Sequence, residues 1–445
     1  MSSSERRAFI VVDLGFGDAG KGLLTDYLVR RHEADLVVRF NGGAQAGHNV
    51  VTADGRHHTF SQFGSGSFVP AVRTHLARDV VVHPTALALE AQVLAAKGIP
   101  DALEGLSIDP RCRVTTPFQQ AHNRLTELAR GAARHGSCGV GIGVTVSESL
   151  SRPELTLRFG ELSSPSRSLR ERLRAQREEK LAEWSGTQLS AEQMREFRAL
   201  ADPTLVERWL EAAAEVARHV TLRDDADALS GSERVVMEGA QGVLLDEACG
   251  FHPYTTYSRC TPHVARGLLD RSGFRGNTRC IGVLRSYAVR HGPGPLPTEA
   301  AELLASTREP HNETGPWQGA VRKGYFDIPT LRYALAASES IDALCLTHLD
   351  ALPKRACTRY ARDLPPPAQD LAAQERITSL LFGARPHYVT VGSAAEFCAL
   401  VAASAGVPIE YTSSGPRADD VRELSDREPR AAPKADERCP ESTKC

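Results

Sequence analysis

The chain is poor in aromatic residues and carries almost no net charge. Only 6% of its 445 residues are Phe, Trp or Tyr, and the formal net charge is -2. A balance this close to neutral offers no basic face for nucleic acid. The sequence also has no early apolar run of signal-peptide or membrane-spanning length. We therefore expect a cytoplasmic protein that partners neither nucleic acid nor a membrane.

Paired cysteines are also missing. Ten cysteines are scattered without a CxxC pair, and several of them, such as Cys280 and Cys345, lie in strand-like surroundings. We expect reduced, mostly buried thiols, not a zinc site or a disulfide framework. With 41% hydrophobic residues, the chain is long enough for one large core or for several smaller ones.

What the sequence does contain is a strand, a glycine loop and a helix near its N-terminus. Residues 9–14 read as a buried strand, 15–22 as the loop and 23–30 as a helix with one apolar side. This order aims main-chain N–H groups and the positive helix end at one point, where phosphate is the natural ligand.

The loop departs from an ordinary P-loop in two places. Gly15, Gly20 and Lys21 fit the pattern G-x-x-x-x-G-K, but Gly22 stands where a Ser or Thr should hold magnesium. Asp18 also places a carboxylate inside the turn, which indicates chemistry as well as binding. A tight turn with a capping Asp would explain an isolated loop equally well.

A second glycine loop strengthens the functional interpretation. The segment RFNGGAQAGHNV ends at His48, whose imidazole is a candidate acid or electrostatic partner for Asp18. A lone loop histidine is usually an incidental surface residue. Its combination with the first loop favours a catalytic role.

The two loops together resemble the paired signature of the adenylosuccinate synthetases, WGDEGKGK followed by GGHNAGH. Further resemblances follow in order along nearly the whole chain: EGAQGVLLD at 238–246, the RxGxGPxPTE-like run at 290–299, LTHLD at 346–350 and SSGP at 413–416. Alternation of strands and helices independently predicts an α/β fold with a large, mainly parallel sheet covered by helices.

The organisation along the chain is simple. We expect one catalytic domain over residues 1–416, with a helical excursion at about 165–222, where charge is interleaved at helical spacing. Residues 417–445 combine low hydrophobicity, mixed charge and proline, which is typical of a disordered tail.

The resemblance implies a two-step ligase reaction. Asp18 would remove the N1 proton of a 6-oxopurine nucleotide such as IMP, and the 6-oxyanion would attack the γ-phosphate of GTP. Lys21 would neutralise the transferred group and His48 the leaving GDP. Mg²⁺ would be bound by Asp18 and the carbonyl of Gly47. An amine, L-aspartate in the family, would then displace the 6-phosphate.

The nucleotide contacts are implied in the same way. The stretch HGSCGVGIGV resembles the family's TTGRGIGP, with Val140 in place of its arginine. Arg152 falls where the family has an arginine that reaches across a homodimer interface, although it could equally be a solvated surface residue. Asp350 would select guanine, or could simply cap a strand end. The purine nucleotide set is Gln45, Ser137, Cys138, Arg152, Gln241 and Thr256; the GTP set is Gly20, Gly22, Asn49, His348, Asp350, Ser414 and Gly415.

The largest departure lies where the family grips the two carboxylates of aspartate with TTGRPRR. Here the corresponding loop carries Trp317, Gln318 and Arg322, so most of the arginines are missing. Either the amine donor is not aspartate, or Arg322 and compensating arginines such as Arg285 or Arg259 hold it.

Two further functions stay open on the sequence alone. A GTP-hydrolysing switch or regulator is disfavoured by the missing Ser or Thr after Lys21 and by the acid within the loop. A degenerate relative that binds nucleotide without turnover is disfavoured because Asp18, Lys21 and His48 are all present.

Overall fold

The strands build one large sheet and three small ones. The computed structural model describes residues 6–307, 315 and 317–424. The strands are β1 (Arg7–Asp13), β2 (Leu36–Arg39), β3 (His48–Val51), β4 (His57–Phe60), β5 (Arg73–Leu76), β6 (Val81–Val82), β7 (Leu106–Ile108), β8 (Arg113–Val114), β9 (Thr221–Leu222), β10 (Arg234–Glu238), β11 (Asn277–Arg285), β12 (Tyr287–His291), β13 (Val321–Asp327), β14 (Ala343–Thr347), β15 (Arg355–Tyr360), β16 (Pro386–Thr390), β17 (Ile409–Ser413) and β18 (Val421–Glu423).

Helices cover the sheet and form an excursion from it. They are α1 (Lys21–His32), α2 (Pro84–Ala96), α3 (Pro117–Arg130), α4 (Ile142–Ser151), α5 (Arg167–Trp184), α6 (Ala191–Ala201), α7 (Leu205–His219), α8 (Asp225–Ser230), α9 (His263–Arg271), α10 (Glu302–Ser306), α11 (Ile328–Ser338), α12 (Leu371–Phe382) and α13 (Ala394–Ala405). No helix in these described ranges is long and apolar enough to cross a membrane.

The ten-stranded sheet has the order β18-β17-β14-β11-β1-β10-β2-β5-β7-β9. Every neighbouring pair is parallel except β17 with the edge strand β18. The predicted α/β fold with a large, mainly parallel sheet is therefore confirmed. Because parallel strands end at the same edge, the loops after β1, β2, β10, β14 and β17 can meet there.

The core lies on both faces of this sheet, which explains why β1 reads as a continuous apolar run. Ile10 and Val12 point into one buried cluster, whereas Phe9 and Val11 point into another. The three helices α5, α6 and α7 fall within the predicted excursion and contribute to a third cluster with α2 and α3.

The folded part of the chain extends beyond the predicted boundary at residue 416. Val421–Glu423 forms β18, whose Val421 is buried and pairs with Ser413 of β17. The prediction of a tail from 417 was therefore wrong for these residues, because a three-residue edge strand of mixed charge gives little sequence signal. Residues 425–445 lie outside the described part of the chain.

Candidate active site

The first glycine loop closes around a carboxylate that the sequence analysis did not identify. Asp13, the last residue of β1, accepts hydrogen bonds from the main-chain N–H groups of Gly15 (2.8 Å), Gly17 (3.3 Å) and Ala19 (2.9 Å). The ammonium group of Lys21 donates to the same carboxylate at 3.0 Å. The side chains of both charged residues are buried, so the loop and its lysine are fixed by one anion.

The glycine at position 22 has a packing cause. A Cβ atom on Gly22 would lie 2.9 Å from the carbonyl oxygen of Asn49 and 3.0 Å from Cβ of His48. The second glycine loop therefore packs directly on the first turn of α1, where an ordinary P-loop has its Ser or Thr. Gly20, with φ of 96°, adopts a left-handed conformation that favours glycine just before the helix.

Asp18 faces His291, not the predicted partner His48. Its Oδ2 lies 2.8 Å from Nε2 of His291, and its main-chain carbonyl accepts a 2.9 Å hydrogen bond from Arg285. Burial alone would raise the pKa of the Asp18 carboxyl group, but the hydrogen bond and charge of His291, with the charges of Lys21 and Arg285, lower it. Asp18 also has a positive φ of 59°, a strained conformation of the kind found at functional sites.

His48 instead pairs with the carboxylate at the end of β10. Its Nδ1 lies 2.6 Å from Oε1 of Glu238, whose Oε2 accepts the main-chain N–H of Ser65 at 2.9 Å. Burial and the charge of Arg39 lower the pKa of His48 to about 4, so the ring is neutral near pH 7. With a carboxylate as neighbour, Nδ1 carries the proton and Glu238 fixes the ring orientation. His48 thus contacts Glu238 and not Asp18, and its role as an acid or electrostatic partner of Asp18 stays a prediction.

A third glycine loop, residues 135–144, is held against α3 by hydrogen bonds. The Ser137 hydroxyl donates to Oδ1 of Asn123 at 3.0 Å, and Oε2 of the buried Glu127 accepts the main-chain N–H of Gly136 at 3.1 Å. Part of the predicted phosphate cradle is thus satisfied within the protein. The Ser137 hydroxyl in turn accepts the main-chain N–H of Gly139 at 3.2 Å, and Oδ1 of Asn123 accepts that of Gly141 at 3.3 Å. The main-chain N–H groups of Cys138 and Val140 have no acceptor in the described chain and could face a nucleotide phosphate.

The loop that carries Trp317 and Gln318, which we call the amine-donor loop, packs against the third glycine loop. The Gln318 carboxamide nitrogen is 2.9 Å from Sγ of Cys138, and a Cβ atom on Gly139 would lie 2.6 Å from the Trp317 ring. The guanidinium group of Arg124 stacks on the same ring at 5.2 Å. Burial raises the pKa of the Cys138 thiol to about 11, so it is a neutral packing group. The predicted amine and nucleotide-phosphate sites are therefore in direct contact.

Beside the second glycine loop, two carboxamides carry buried polar atoms that have no partner among the described residues. They are Oε1 and Nε2 of Gln45 and Oε1 of Gln241. Both side chains lie against the second glycine loop, because Cβ atoms on Gly43 and Gly42 would approach their Oε1 atoms to 3.1 and 3.0 Å. Unpaired buried amides are costly, and a purine edge that both donates and accepts would satisfy them.

The other purine-nucleotide residues are arranged less clearly. Thr256 is half-buried, and its main-chain N–H donates to the Leu245 carbonyl at 2.8 Å, which fixes the loop after β10. Arg152 ends α4 and forms an ion pair with Glu179 of α5. Within the described chain, the guanidinium group thus has a local partner.

The residues predicted to hold guanine lie at the ends of the adjacent strands β14 and β17. Asp350 is exposed and has no hydrogen bond or ion pair to another described residue. Ser413 forms a turn with Gly415, to whose carbonyl it donates at 2.7 Å, beside the exposed Ser414. The exposed side chains at the ends of β14 and β17 are therefore accessible to a guanine base.

Two members of the predicted GTP set are occupied by other contacts. Burial lowers the pKa of His348 well below its usual value, so its ring is neutral near pH 7; its Nδ1 lies 2.8 Å from the Thr347 hydroxyl. The side-chain oxygen of Asn49 accepts from His57 and Thr59 inside the hairpin formed by β3 and β4.

Arg322 is already committed to a carboxylate of the protein. It pairs with Glu299 through two nitrogens, one of them at 2.9 Å, and donates to the carbonyl groups of Gly292 (3.1 Å) and Gly294 (2.7 Å). Four of its five N–H groups are thus used. Nε of Arg259, one of the suggested compensating groups, lies 3.4 Å from Asp246. Thr314 and Pro316 of the same loop lie outside the described residues.

Sequence reasoning missed three groups of the site: Asp13, Glu238 and His291. Asp13 and Glu238 each end a buried strand just before a glycine loop, and this position alone could have identified them. His291 has no such signal, because it lies on β12 of the separate four-stranded sheet and meets Asp18 only in the folded chain.

Comparisons with known proteins agree with this architecture. A sequence model of the family described as adenylosuccinate synthetase matches residues 10–422. The adenylosuccinate synthetase of Clostridium beijerinckii is 33% identical over 354 residues, which cover 78% of each chain. That of Vibrio parahaemolyticus is 30% identical over 444 residues, covering 92% of this chain and 96% of the relative.

Two solved structures share the fold. The fully ligated adenylosuccinate synthetase of Plasmodium falciparum has a TM-score of 0.74 at 21% identity, over 94% of this chain and 99% of that one. The succinoaminodeoxyadenylate synthetase of cyanophage S-2L, bound to dGMP and to dATP as an energy donor, has a TM-score of 0.60 at 20% identity, over 94% and 95%. The chain therefore belongs to the adenylosuccinate synthetase family and is a GTP-dependent ligase that joins an amine to a purine nucleotide.

Proposed function

We propose that Asp18 is the general base of the first step. The observation that carries this proposal is a carboxylate of lowered pKa inside a phosphate-binding loop, whose Gly17 packs against the main chain of Gln241. Asp18 takes the N1 proton of the oxopurine, the 6-oxygen attacks the γ-phosphorus of GTP, and the bond to the bridging oxygen breaks to release GDP. Gln45 and Gln241 bind the purine edge.

His48 and Lys21 stabilise the charge that moves during this transfer. Lys21 supplies a fixed positive charge at the first loop. His48 is neutral at rest, so we expect it to take up a proton when the phosphoryl group approaches. Glu238, which holds the opposite ring nitrogen, favours that protonated form.

The residues present fit a magnesium ion only together with substrate phosphates. No cluster of three His, Cys, Asp or Glu side chains suited to a metal occurs within the described ranges. Asp18 and the Gly47 carbonyl would provide two oxygen ligands, and Mg²⁺ typically adds substrate phosphates and water to so few protein ligands. When bound there, the ion would offset the negative charge of the phosphates.

In the second step an amine nitrogen attacks C6, the C6–O bond breaks and inorganic phosphate leaves. L-aspartate is the donor that the family identity favours. The contact of Trp317 and Gln318 with the third glycine loop supports an amine site beside the nucleotide. Commitment of Arg322 to Glu299 supports the alternative of another amine donor.

We further propose a cytoplasmic homodimer in which Arg152 serves the partner's nucleotide phosphate. Its ion pair with Glu179 is exposed, and such pairs are weak, so a phosphate can replace it. Mixing Arg152→Ala protein with an Asp18→Asn variant tests this, because one intact site per heterodimer restores activity. An active protein that is strictly monomeric would contradict the composite site.

Product analysis tests the proposed reaction as a whole. GTP, Mg²⁺ and either IMP or GMP are incubated with L-aspartate and with a panel of other amines, and the products are identified by mass spectrometry. We expect GDP, phosphate and a 6-amino-substituted nucleotide in equal amounts. GDP release without any dependence on the oxopurine would instead indicate a GTPase.

A further inference from the structure

The carboxylate of Asp13 is arranged as the internal anion of the first glycine loop. Only 1% of the surface of Asp13 is exposed. Its Oδ1 accepts from Gly15 and Gly17, and its Oδ2 accepts from Ala19 and Lys21. Alternate residues of the loop thus direct their N–H groups to one carboxylate, in the manner of an anion-binding nest.

The main-chain N–H groups at the start of α1 do not bind Asp13. The main-chain amides of Lys21, Gly22 and Leu23 begin α1, and no acceptor for them occurs among the described residues. The first N–H groups of a helix lack intrahelical partners and bind phosphate well. The segment therefore divides its donors: the loop amides hold Asp13, and the helix amides remain for a nucleotide.

Lys21 joins the two sets. Only 3% of its surface is exposed. Within the described chain, its ammonium group donates to Asp13. A lysine side chain has a flexible stem and three donors. One donor fixed by Asp13 orients the ammonium group, and two donors remain for a phosphate.

We propose that Asp13 is a positioning residue for phosphoryl transfer, which holds the glycine loop and Lys21 in their reactive arrangement before nucleotide binds. This proposal rests on the proposed role of Lys21 in that step. Preorganised charge and geometry accelerate a reaction without a matching gain in substrate affinity. Loss of Asp13 should therefore lower the rate of transfer much more than the affinity for GTP.

The test isolates the first step. GTP labelled with ¹⁸O at the bridge between the β- and γ-phosphorus atoms is incubated with enzyme, Mg²⁺ and IMP, without an amine. Reversible transfer to the 6-oxygen lets the β-phosphate rotate, so the label appears at non-bridging positions. The exchange rate per folded site and the dissociation constant for GTP are measured for each variant.

Asp13→Asn should slow the exchange by about 10- to 100-fold and change the GTP dissociation constant by less than about threefold. Asp109→Asn is the matched control. Asp109 is also a buried carboxylate directly after a strand, and it accepts from Arg111 and from the main chain of Asp225 outside the site. Its substitution should lower stability and leave the exchange rate per folded site unchanged.

Exchange by folded Asp13→Asn within threefold of the wild type would overturn the proposal, as would an equal loss in Asp109→Asn. If Asp13→Asn does not fold, Asp13→Glu decides, since it keeps the charge and moves the carboxylate by one methylene group. Slower exchange in that variant supports positioning, and unchanged exchange contradicts it. Wild-type protein without any exchange, or Lys21→Ala at the wild-type rate, would instead refute the proposed function.

Discussion

Oδ2 of Asp18 lies 2.8 Å from Nε2 of His291, which joins the proposed base to the end of β12. The next residue, Gly292, is packed against the amine-donor loop: a Cβ atom there would lie 2.3 Å from the carbonyl oxygen of Gln318. The pair thus connects the group that starts the first step with the loop proposed for the second.

Replacing His291 should make Asp18 a less effective general base near neutral pH, because its carboxylate loses orientation. In His291→Val the carboxylate loses a hydrogen bond and a neighbouring charge that lower its pKa, so this pKa should rise. The acid limb of the profile of kcat/KM against pH should move to higher pH, and kcat should fall by about tenfold through lost orientation. His291→Gln, which keeps an N–H donor, should retain more activity. An unchanged acid limb in His291→Val would contradict this assignment.

Glu238→Gln should keep a hydrogen-bond partner for the His48 ring but remove the negative charge beside it. The amide can no longer favour a protonated ring, so phosphoryl transfer should slow by about 10- to 100-fold, as for other partners that orient a histidine. Asp225→Asn is the control, because Asp225 lies 3.0 Å from Nε2 of the buried His75 away from the site. Equal losses in the two variants, measured per folded protein, would argue against a role for Glu238.

Guanine preference should depend on Asp350. Its exposed carboxylate has no partner in the described chain and can accept the N1–H and 2-amino groups that adenine lacks. Asp350→Ala should therefore reduce the ratio of kcat/KM for GTP to that for ATP by about tenfold or more, given about 1.5–3 kcal/mol per charged hydrogen bond. Equal use of ATP by the wild type would show that the LTHLD segment was misinterpreted.

Trp317→Ala should raise the KM of the amine donor more than that of GTP. The ring packs on Gly139 and Arg124, so its loss loosens the loop above the nucleotide phosphate. Trp184→Ala is a matched control in the helical excursion, where the indole donates to His122. Saturation by micromolar L-aspartate with unaltered turnover in Trp317→Ala would contradict the predicted amine pocket.

The sequence predicted the sheet and the glycine loops well because both depend on local pattern. The run from Phe9 to Val12 identifies β1, and the spacing of Gly15, Gly20 and Lys21 identifies the loop. It predicted the partners of Asp18 and His48 poorly, because His291 and Glu238 are distant in sequence and meet them only through strand order. The short strand β18 was missed because pairing with β17, not apolar character, holds it.

Transfer of the 6-oxygen to phosphate tests the central claim most directly. The enzyme is incubated with IMP carrying ¹⁸O at O6, together with GTP, Mg²⁺ and L-aspartate or the amine found active, and the phosphate is analysed by mass spectrometry. We predict one ¹⁸O atom in each phosphate released by the wild type and at least ~10²-fold slower release by Asp18→Asn, which lacks the base. Unlabelled phosphate, or Asp18→Asn with near-wild-type turnover, would contradict the account.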